Sequence, residues 1–217
     1  MNLLVSYPNS GRTWTTNMCK EIGIPLSVSH YNALGQISDI EQYTRQNNGS
    51  FFNNHKTIFL HRSTKDHVVS NYFQVTTRMG ILKSSVSLAE FIRDKQYGVE
   101  KIIKYNILLN DTLSTRESIK IKYEDFHTNC LQTLQKICDF TNTQCDHLES
   151  IISNNSFENA HAREMIDPKI YTKVENPESF KARRGVVGGY VDYLSQEDIE
   201  YIDNLVAQYD YINRMNA

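Results

Sequence analysis

The sequence predicts an α/β fold, a single domain over residues 1–217 in which a parallel sheet is flanked by helices. Short apolar runs of β type alternate with segments whose apolar residues recur at helical spacing. The stretches between successive runs are long enough to hold a crossover helix, as neighbouring parallel strands require. The first apolar run also ends in a proline- and glycine-bearing turn that restarts as a helix, the arrangement by which α/β proteins hold anions. A chain of 217 residues suffices for one sizeable core.

The elements follow in order. Leu3 to Ser6 is read as a first strand, and Thr13 to Ile22 as a helix that Gly23-Ile24-Pro25 stops. Leu26 to Ser29 makes a second, short strand. Residues 36–54, rich in Asn and Gln, read as a mobile loop or irregular helix. Thr57 to His61 is a third strand. The helix beginning near Thr64 is expected to reach Thr77, with Ser63 and Asp66 spaced as a capping box. Leu88 to Ile92 starts another helix, and Val99 to Leu109 a further one. Ser118 to Tyr123 alternates as a fourth strand. Leu131, Leu134, Ile137 and Cys138 mark a helix, and Ser195 caps a last one whose face is Ile199, Ile202, Leu205 and Val206.

Composition narrows the function classes. A net charge of −2 argues against a nonspecific nucleic-acid binder, whose basic footprint would dominate the balance. The four cysteines, Cys19, Cys130, Cys138 and Cys145, show no C-x-x-C spacing, so neither a metal site nor a disulfide framework is expected. Met1-Asn2 leads straight into an apolar run and no run approaches membrane-spanning length, which predicts a cytoplasmic protein with no membrane partner.

Three segments carry chemistry. Tyr7-Pro8-Asn9-Ser10-Gly11-Arg12-Thr13-Trp14 follows the first strand and aims backbone N–H groups and a helix's positive end at one spot, which suits a phosphate. It is not the Walker pattern, which needs a second glycine and Lys-Ser/Thr. Taken alone, it could equally be an ordinary turn and cap. In the second segment Arg62 ends the third strand, at the sheet edge where ligands of open α/β folds lie. The third, Phe180-Lys181-Ala182-Arg183-Arg184-Gly185-Val186-Val187-Gly188-Gly189-Tyr190, sets two arginine forks beside glycines that let the backbone close over a ligand.

Together these segments resemble the sulfotransferases that use 3′-phosphoadenosine 5′-phosphosulfate (PAPS). The family's phosphosulfate loop reads Tyr-Pro-Lys-Ser-Gly-x-Thr-Trp, matched from Tyr7 to Trp14 except at Asn9. Its 3′-phosphate segment is a strand-end arginine with a serine eight residues later, matched by Arg62 and Ser70. Its C-terminal Arg-Lys-Gly and Gly-Asp-Trp are echoed by Arg183-Arg184-Gly185 and Gly188-Gly189-Tyr190. The resemblance implies a P-loop-NTPase-like sulfotransferase fold and transfer of a sulfuryl group from PAPS to a hydroxyl or amine of a small-molecule or glycan acceptor, leaving PAP, with no metal.

By the same resemblance, Asn9, Ser10, Gly11, Arg12 and Thr13 surround the 5′-phosphosulfate. Trp14, Tyr123 and Phe157 contact adenine, and Arg62, Ser70, Arg183, Arg184 and Gly185 surround the 3′-phosphate. Removing a proton from an acceptor hydroxyl calls for a base near neutrality, which points to histidine. Of seven histidines, His30 directly follows the second strand, at the edge that carries Ser10-Gly11 and Arg62, and it matches the family's base. Asn9 replaces the loop lysine that acts on the bridging oxygen; Arg12 either reaches the phosphosulfate as the substitute cation, which makes it a second catalytic candidate, or points to solvent. The acceptor pocket is expected from residues 32–54 and 79–87. Alternative readings are a P-loop-type nucleotide-dependent kinase, disfavoured by the missing Walker lysine, a PAPS- or PAP-binding protein with little activity, and a nucleotide-binding regulatory module.

Overall fold

The computed structural model describes residues 1–168 and 172–216. Four parallel strands, β1 (Asn2–Val5), β2 (Leu26–Ser29), β3 (Lys56–His61) and β4 (Ser118–Lys122), form one sheet in the order β2-β1-β3-β4. Alternation of side chains along β1 and β3 divides the core between the two faces of the sheet. Leu3, Val5 and Phe59 face one way, and Leu4, Ile58 and Leu60 the other.

The second of these faces is covered by α1 (Arg12–Ile22), α6 (Asp125–Thr141) and α7 (Leu148–Asn154), through Met18, Cys19, Phe126, Leu134, Ile137 and Ile151. The first receives α2 (Ile37–Gln46), α3 (Thr64–Phe73), α4 (Leu88–Ile92), α5 (Val99–Leu113), α9 (Gln196–Gln208) and α10 (Tyr211–Asn216). A further helix, α8 (Phe157–Ile166), precedes the C-terminal loop. The expected helix-flanked parallel sheet is thus present. The crossover from β1 to β2, through α1, lies on one face and the crossovers that lead to β3 and β4, through α2, α3 and α5, lie on the other, so the carboxyl end of β1, between β2 and β3, is the switch point where open α/β sheets bind ligands.

Several local expectations are corrected. Within residues 36–54, expected as a loop or irregular helix, Ile37–Gln46 is a regular helix, α2, whose Ile40 is buried against the core, and the rest is turns with a 3₁₀ turn at Ser50–Phe52. The helix expected to reach Thr77 stops at Phe73 and widens into a π turn over Gln74–Arg78. Ser63 and Asp66 form no capping box. The Asp66 carboxylate is buried and is used elsewhere, as described below. The helix expected around residues 131–138 begins at Asp125 and kinks at Asn129, whose Oδ1 accepts the Gln132 N–H at 3.2 Å and so restarts it. The Val99 helix runs on to Leu113, burying Leu109 and Leu113. No helix among the described residues is long and apolar enough to cross a membrane.

Candidate active site

Parallel strands put every strand-end loop on one edge, so Tyr7–Trp14, His30, Arg62 and Tyr123 all emerge together at the carboxyl ends of β1, β2, β3 and β4. The turn after β1 is held by neighbours on all sides. Ser10, fully buried, donates its hydroxyl to the Tyr7 carbonyl at 2.9 Å. His67 lies 2.6 Å from the Pro8 carbonyl through Nε2, and burial pushes its imidazole down to about 3, so it is neutral and donates from that nitrogen. Asn9 adopts a left-handed φ of 68° and donates its side-chain amide to Asn71 at 3.1 Å, while Asn71 donates to the Tyr97 carbonyl at 2.8 Å. Gly11, at φ 95°, starts α1. The first backbone bond into that helix runs from the Thr15 N–H to the Gly11 carbonyl at 3.1 Å, so the N–H groups of Arg12, Thr13 and Trp14 have no acceptor within the helix. The Thr13 side chain is exposed above them.

Beside this turn, Arg62 donates to the Asn9 carbonyl at 3.3 Å and lays its guanidinium 4.4 Å from the centre of the Tyr123 ring. Its Nε is buried without an acceptor, and no carboxylate pairs with it among the described residues. Ser70, half-buried, follows about two turns along α3. Tyr123 stands where a Cβ on Gly11 would be, so the glycine admits the ring. Trp14 lies 5.9 Å from Tyr123 and 5.3 Å from His127, and its indole N–H donates to the Asn155 carbonyl at 2.6 Å.

The arginines of the C-terminal loop are in a different state. Arg183 donates to Glu178 at 2.9 Å and to the Tyr193 hydroxyl, with its guanidinium 4.1 Å from the Phe73 ring centre. Arg184 pairs with Asp192 at 2.7 Å. Both therefore have carboxylate partners, unlike Arg62. Gly185, at φ 62°, packs against the Phe157 ring where a Cβ would stand. Two buried carboxylates pin the loop. Asp66 accepts the N–H groups of Gly188 at 2.7 Å and Tyr190 at 3.0 Å, and Glu164 accepts those of Lys181 and Ala182 at 2.9–3.0 Å. Burial alone would raise the Glu164 carboxyl. The Lys181 N–H, the Thr172 hydroxyl, the Ala182 N–H and the Arg78 charge outweigh burial and hold it below the usual carboxylate range.

His30 is fixed from two directions. Its Nδ1 lies 2.9 Å from the Ser6 carbonyl, and its own carbonyl accepts the hydroxyl of buried Tyr105. A carbonyl only accepts, so the proton sits on Nδ1 and Nε2 keeps its lone pair. Burial, with smaller contributions from the Arg12 and Lys181 charges, lowers the imidazole to about 4 although the Ser6 bond opposes the shift. This corrects the near-neutral value that a catalytic histidine suggested. His30 and Arg12 line a groove of about 700 Å³ together with Val28, Tyr31, Leu34 and Asp39; it shares residues 32–35, 39 and 40 with the 32–54 region expected to hold the acceptor and none with 79–87.

The geometry brings together a turn with free N–H groups, an arginine without a carboxylate partner among the described residues and a neutral histidine at one switch point. A family model described as the sulfotransferase domain matches residues 42–211. The chain belongs to the sulfotransferase domain family. The matched span holds Arg62, Ser70, Tyr123, Phe157 and Arg183 to Gly185, whereas the turn after β1 and His30 precede it. Among solved structures, this sulfotransferase-domain chain is similar to mouse sulfotransferase SULT7A1 complexed with PAP, at 20% identity and a TM-score of 0.69, over 95% of this chain and 83% of that one. It is also similar to retinol dehydratase in complex with androsterone and inactive cofactor PAP, at 13% identity and a TM-score of 0.70, over 96% of this chain and 80% of that one. Both are likenesses of fold. No curated protein matches the sequence.

Sequence reasoning missed the residues that hold this candidate site in shape. Asp66 reads as a helix-start acid and His67 as a helix residue, while nothing in the sequence singles out Glu164. What marks them is burial with backbone groups of distant segments as partners, visible only after folding.

Proposed function

We propose that residues 1–217 act as one PAPS-dependent sulfotransferase domain that moves a sulfuryl group to an acceptor hydroxyl or amine. The observation that carries this reading is the meeting of an unpaired Arg62 with the free N–H groups of α1 at the switch point, in a chain of the sulfotransferase domain family. The residues present fit the donor. The buried Arg62 Nε lacks an acceptor, and the Gly11 and Gly185 contacts set Tyr123 and Phe157 flush against the backbone.

In this reading the N–H groups of Arg12 to Trp14 and the Thr13 hydroxyl bind the 5′-phosphosulfate with Asn9, Ser10 and Gly11 shaping the turn. Ser10 contributes backbone only, because its hydroxyl proton is committed to Tyr7. Arg62 and Ser70 bind the 3′-phosphate with the backbone at Gly185, and Arg183 and Arg184 join them by exchanging Glu178 and Asp192 for phosphate oxygens. Trp14, Tyr123 and Phe157 line the adenine site. Bound PAPS supplies the activated sulfuryl group, and the chain aligns it and neutralises charge, since group transfer of this kind asks for little covalent work from the protein. His30 Nε2 takes the acceptor proton. The groove beside it supports a small-molecule acceptor, and four unpaired thiols support a cytoplasmic location.

The Asn9 amide, bound to Asn71, leaves the turn without a lysine and favours one alternative, a PAP-binding protein with little turnover. Turnover of labelled PAPS over an acceptor panel separates the two. The donor assignment itself is tested by calorimetry with PAP and AMP. Arg62→Ala is expected to lose about 1.5–3 kcal/mol of PAP affinity, the worth of hydrogen bonds to a charged group, with little change for AMP. Equal losses for both ligands would refute it.

A further inference from the structure

Within the proposed PAPS reading, on which this inference rests, adenine lies among Trp14, Tyr123 and Phe157. The structure links these rings. The Trp14 indole N–H donates to the Asn155 carbonyl at 2.6 Å, and Phe157 follows two residues later with its ring packed against Gly185. Tyr123 is set by the Arg62 guanidinium over its ring and by Gly11 beside it. Stacking of this kind holds any planar base, because every base has a π face, so ring contacts alone do not select adenine.

A fourth ring meets two of these three. His127, in the first turn of α6, has its ring centre 4.8 Å from that of Tyr123 and 5.3 Å from that of Trp14, which are themselves 5.9 Å apart. The imidazole therefore bridges the tyrosine that follows β4 and the tryptophan of α1. It is nevertheless exposed, and its ring makes no hydrogen bond among the described residues. A side chain that only filled space beside Trp14 would be apolar and covered, as the preceding Phe126 is, 5.5 Å from the same indole and 3% exposed.

An imidazole held open in this position has hydrogen-bonding capacity to offer. Partial burial and the Arg62 charge lower it against the pull of Asp66, so it is neutral at pH 7 and carries one N–H donor and one acceptor nitrogen. Adenine presents a 6-amino donor on its edge, next to a ring nitrogen that accepts. We infer that His127 is a base-reading residue of the donor site, accepting a hydrogen bond from the adenine 6-amino group while the aromatic rings hold the base by its faces. Recognition of the donor is then divided: Arg62 and Ser70 read the 3′-phosphate, and His127 reads the base.

Calorimetry of His127→Ala and His127→Gln with PAP and with purine riboside 3′,5′-bisphosphate, which lacks only the 6-amino group, tests the assignment. The bond joins two neutral groups, so His127→Ala is expected to weaken PAP about three- to tenfold and to leave the purine riboside ligand unchanged. His127→Gln, whose amide oxygen still accepts, should recover part of the loss. Trp14 is the one tryptophan of the chain, so its emission reports on the base site, and PAP at saturation should change it equally in the wild type and in His127→Ala. Equal losses for the two ligands, or none for PAP, overturn the role of His127 while PAP binding stands. PAP binding that leaves Trp14 emission unchanged places the base elsewhere and overturns it as well. Failure of the wild type to bind PAP at all overturns the donor reading, and this inference with it.

Discussion

At the scale of single residues, His30 is prepared to accept a proton at Nε2 because Ser6 holds the other ring nitrogen and Tyr105 holds its backbone. A positioned base contributes about 10²–10⁴-fold, so His30→Ala is expected to lose that much in kcat while PAP affinity stays near wild type. The low imidazole value moves the acid limb of kcat/KM to about 4, because His30 stays neutral until pH falls that far. Full activity in the variant, or an acid limb near 6.5 that persists without His30, would show that the base lies elsewhere. The positions of His30 and Arg62 were legible in the sequence, since each follows an apolar run that a parallel sheet ends on one edge. Their states were not. Arg62 is unpaired while Arg183 is bound to Glu178, and no local pattern distinguishes two arginines whose partners come from different segments.

At the scale of elements, α1 shows how a strand-helix turn leaves backbone N–H groups free at the sheet edge. Its two ends carry glycines of similar conformation, Gly11 at φ 95° and Gly23 at φ 87°, in different surroundings. A Cβ at Gly23 meets nothing within 4 Å, whereas one at Gly11 runs into the Tyr123 ring. Gly23→Ala is therefore expected to cost only backbone strain, about 1–3 kcal/mol of stability, with PAP affinity retained. Gly11→Ala should displace Tyr123 and the turn together, lowering both the melting temperature and PAP affinity. Matching behaviour of the two variants would show that the turn and Tyr123 are not coupled. The helix-turn-strand punctuation at Gly23-Ile24-Pro25 was readable because glycine and proline act locally. The helical nature of residues 37–46 was hidden by their polar composition, since Ile40 and Thr44 alone turn a buried face to the core.

At the scale of the whole molecule, folding removes imidazoles from water. His67 is fully buried and lowered to about 3 by burial, which the Pro8 bond only partly opposes, and His61 is likewise held near 3. An unfolded histidine titrates near 6.5, so between 6.5 and these values the unfolded chain binds the extra protons. Stability contributed by neutral burial is thus present above about 6.5 and lost as pH falls, at up to about 1.4 kcal/mol per pH unit for His67. Denaturation curves should show falling stability from pH 6.5 to 5, with a shallower slope in His67→Gln, whose amide still donates to the Pro8 carbonyl. A wild-type curve flat over that interval would contradict the burial of neutral histidines.

The sequence by itself determined the alternation of strands and helices, the parallel sheet, the strand-end placement of the phosphate turn, His30 and Arg62, and the three ordered motifs that resemble sulfotransferases. Each of these rests on spacing and residue type within a few positions. Only the tertiary structure decided which groups satisfy one another: Asp66 takes N–H groups from Gly188 and Tyr190 instead of capping its own helix, Asn9 bonds Asn71, and Glu164 takes the N–H groups of Lys181 and Ala182. The reason is physical. A buried polar group must find a partner wherever the chain path brings one, and across 122 residues that path is set by how the helices pack on the sheet, not by the residues flanking Asp66.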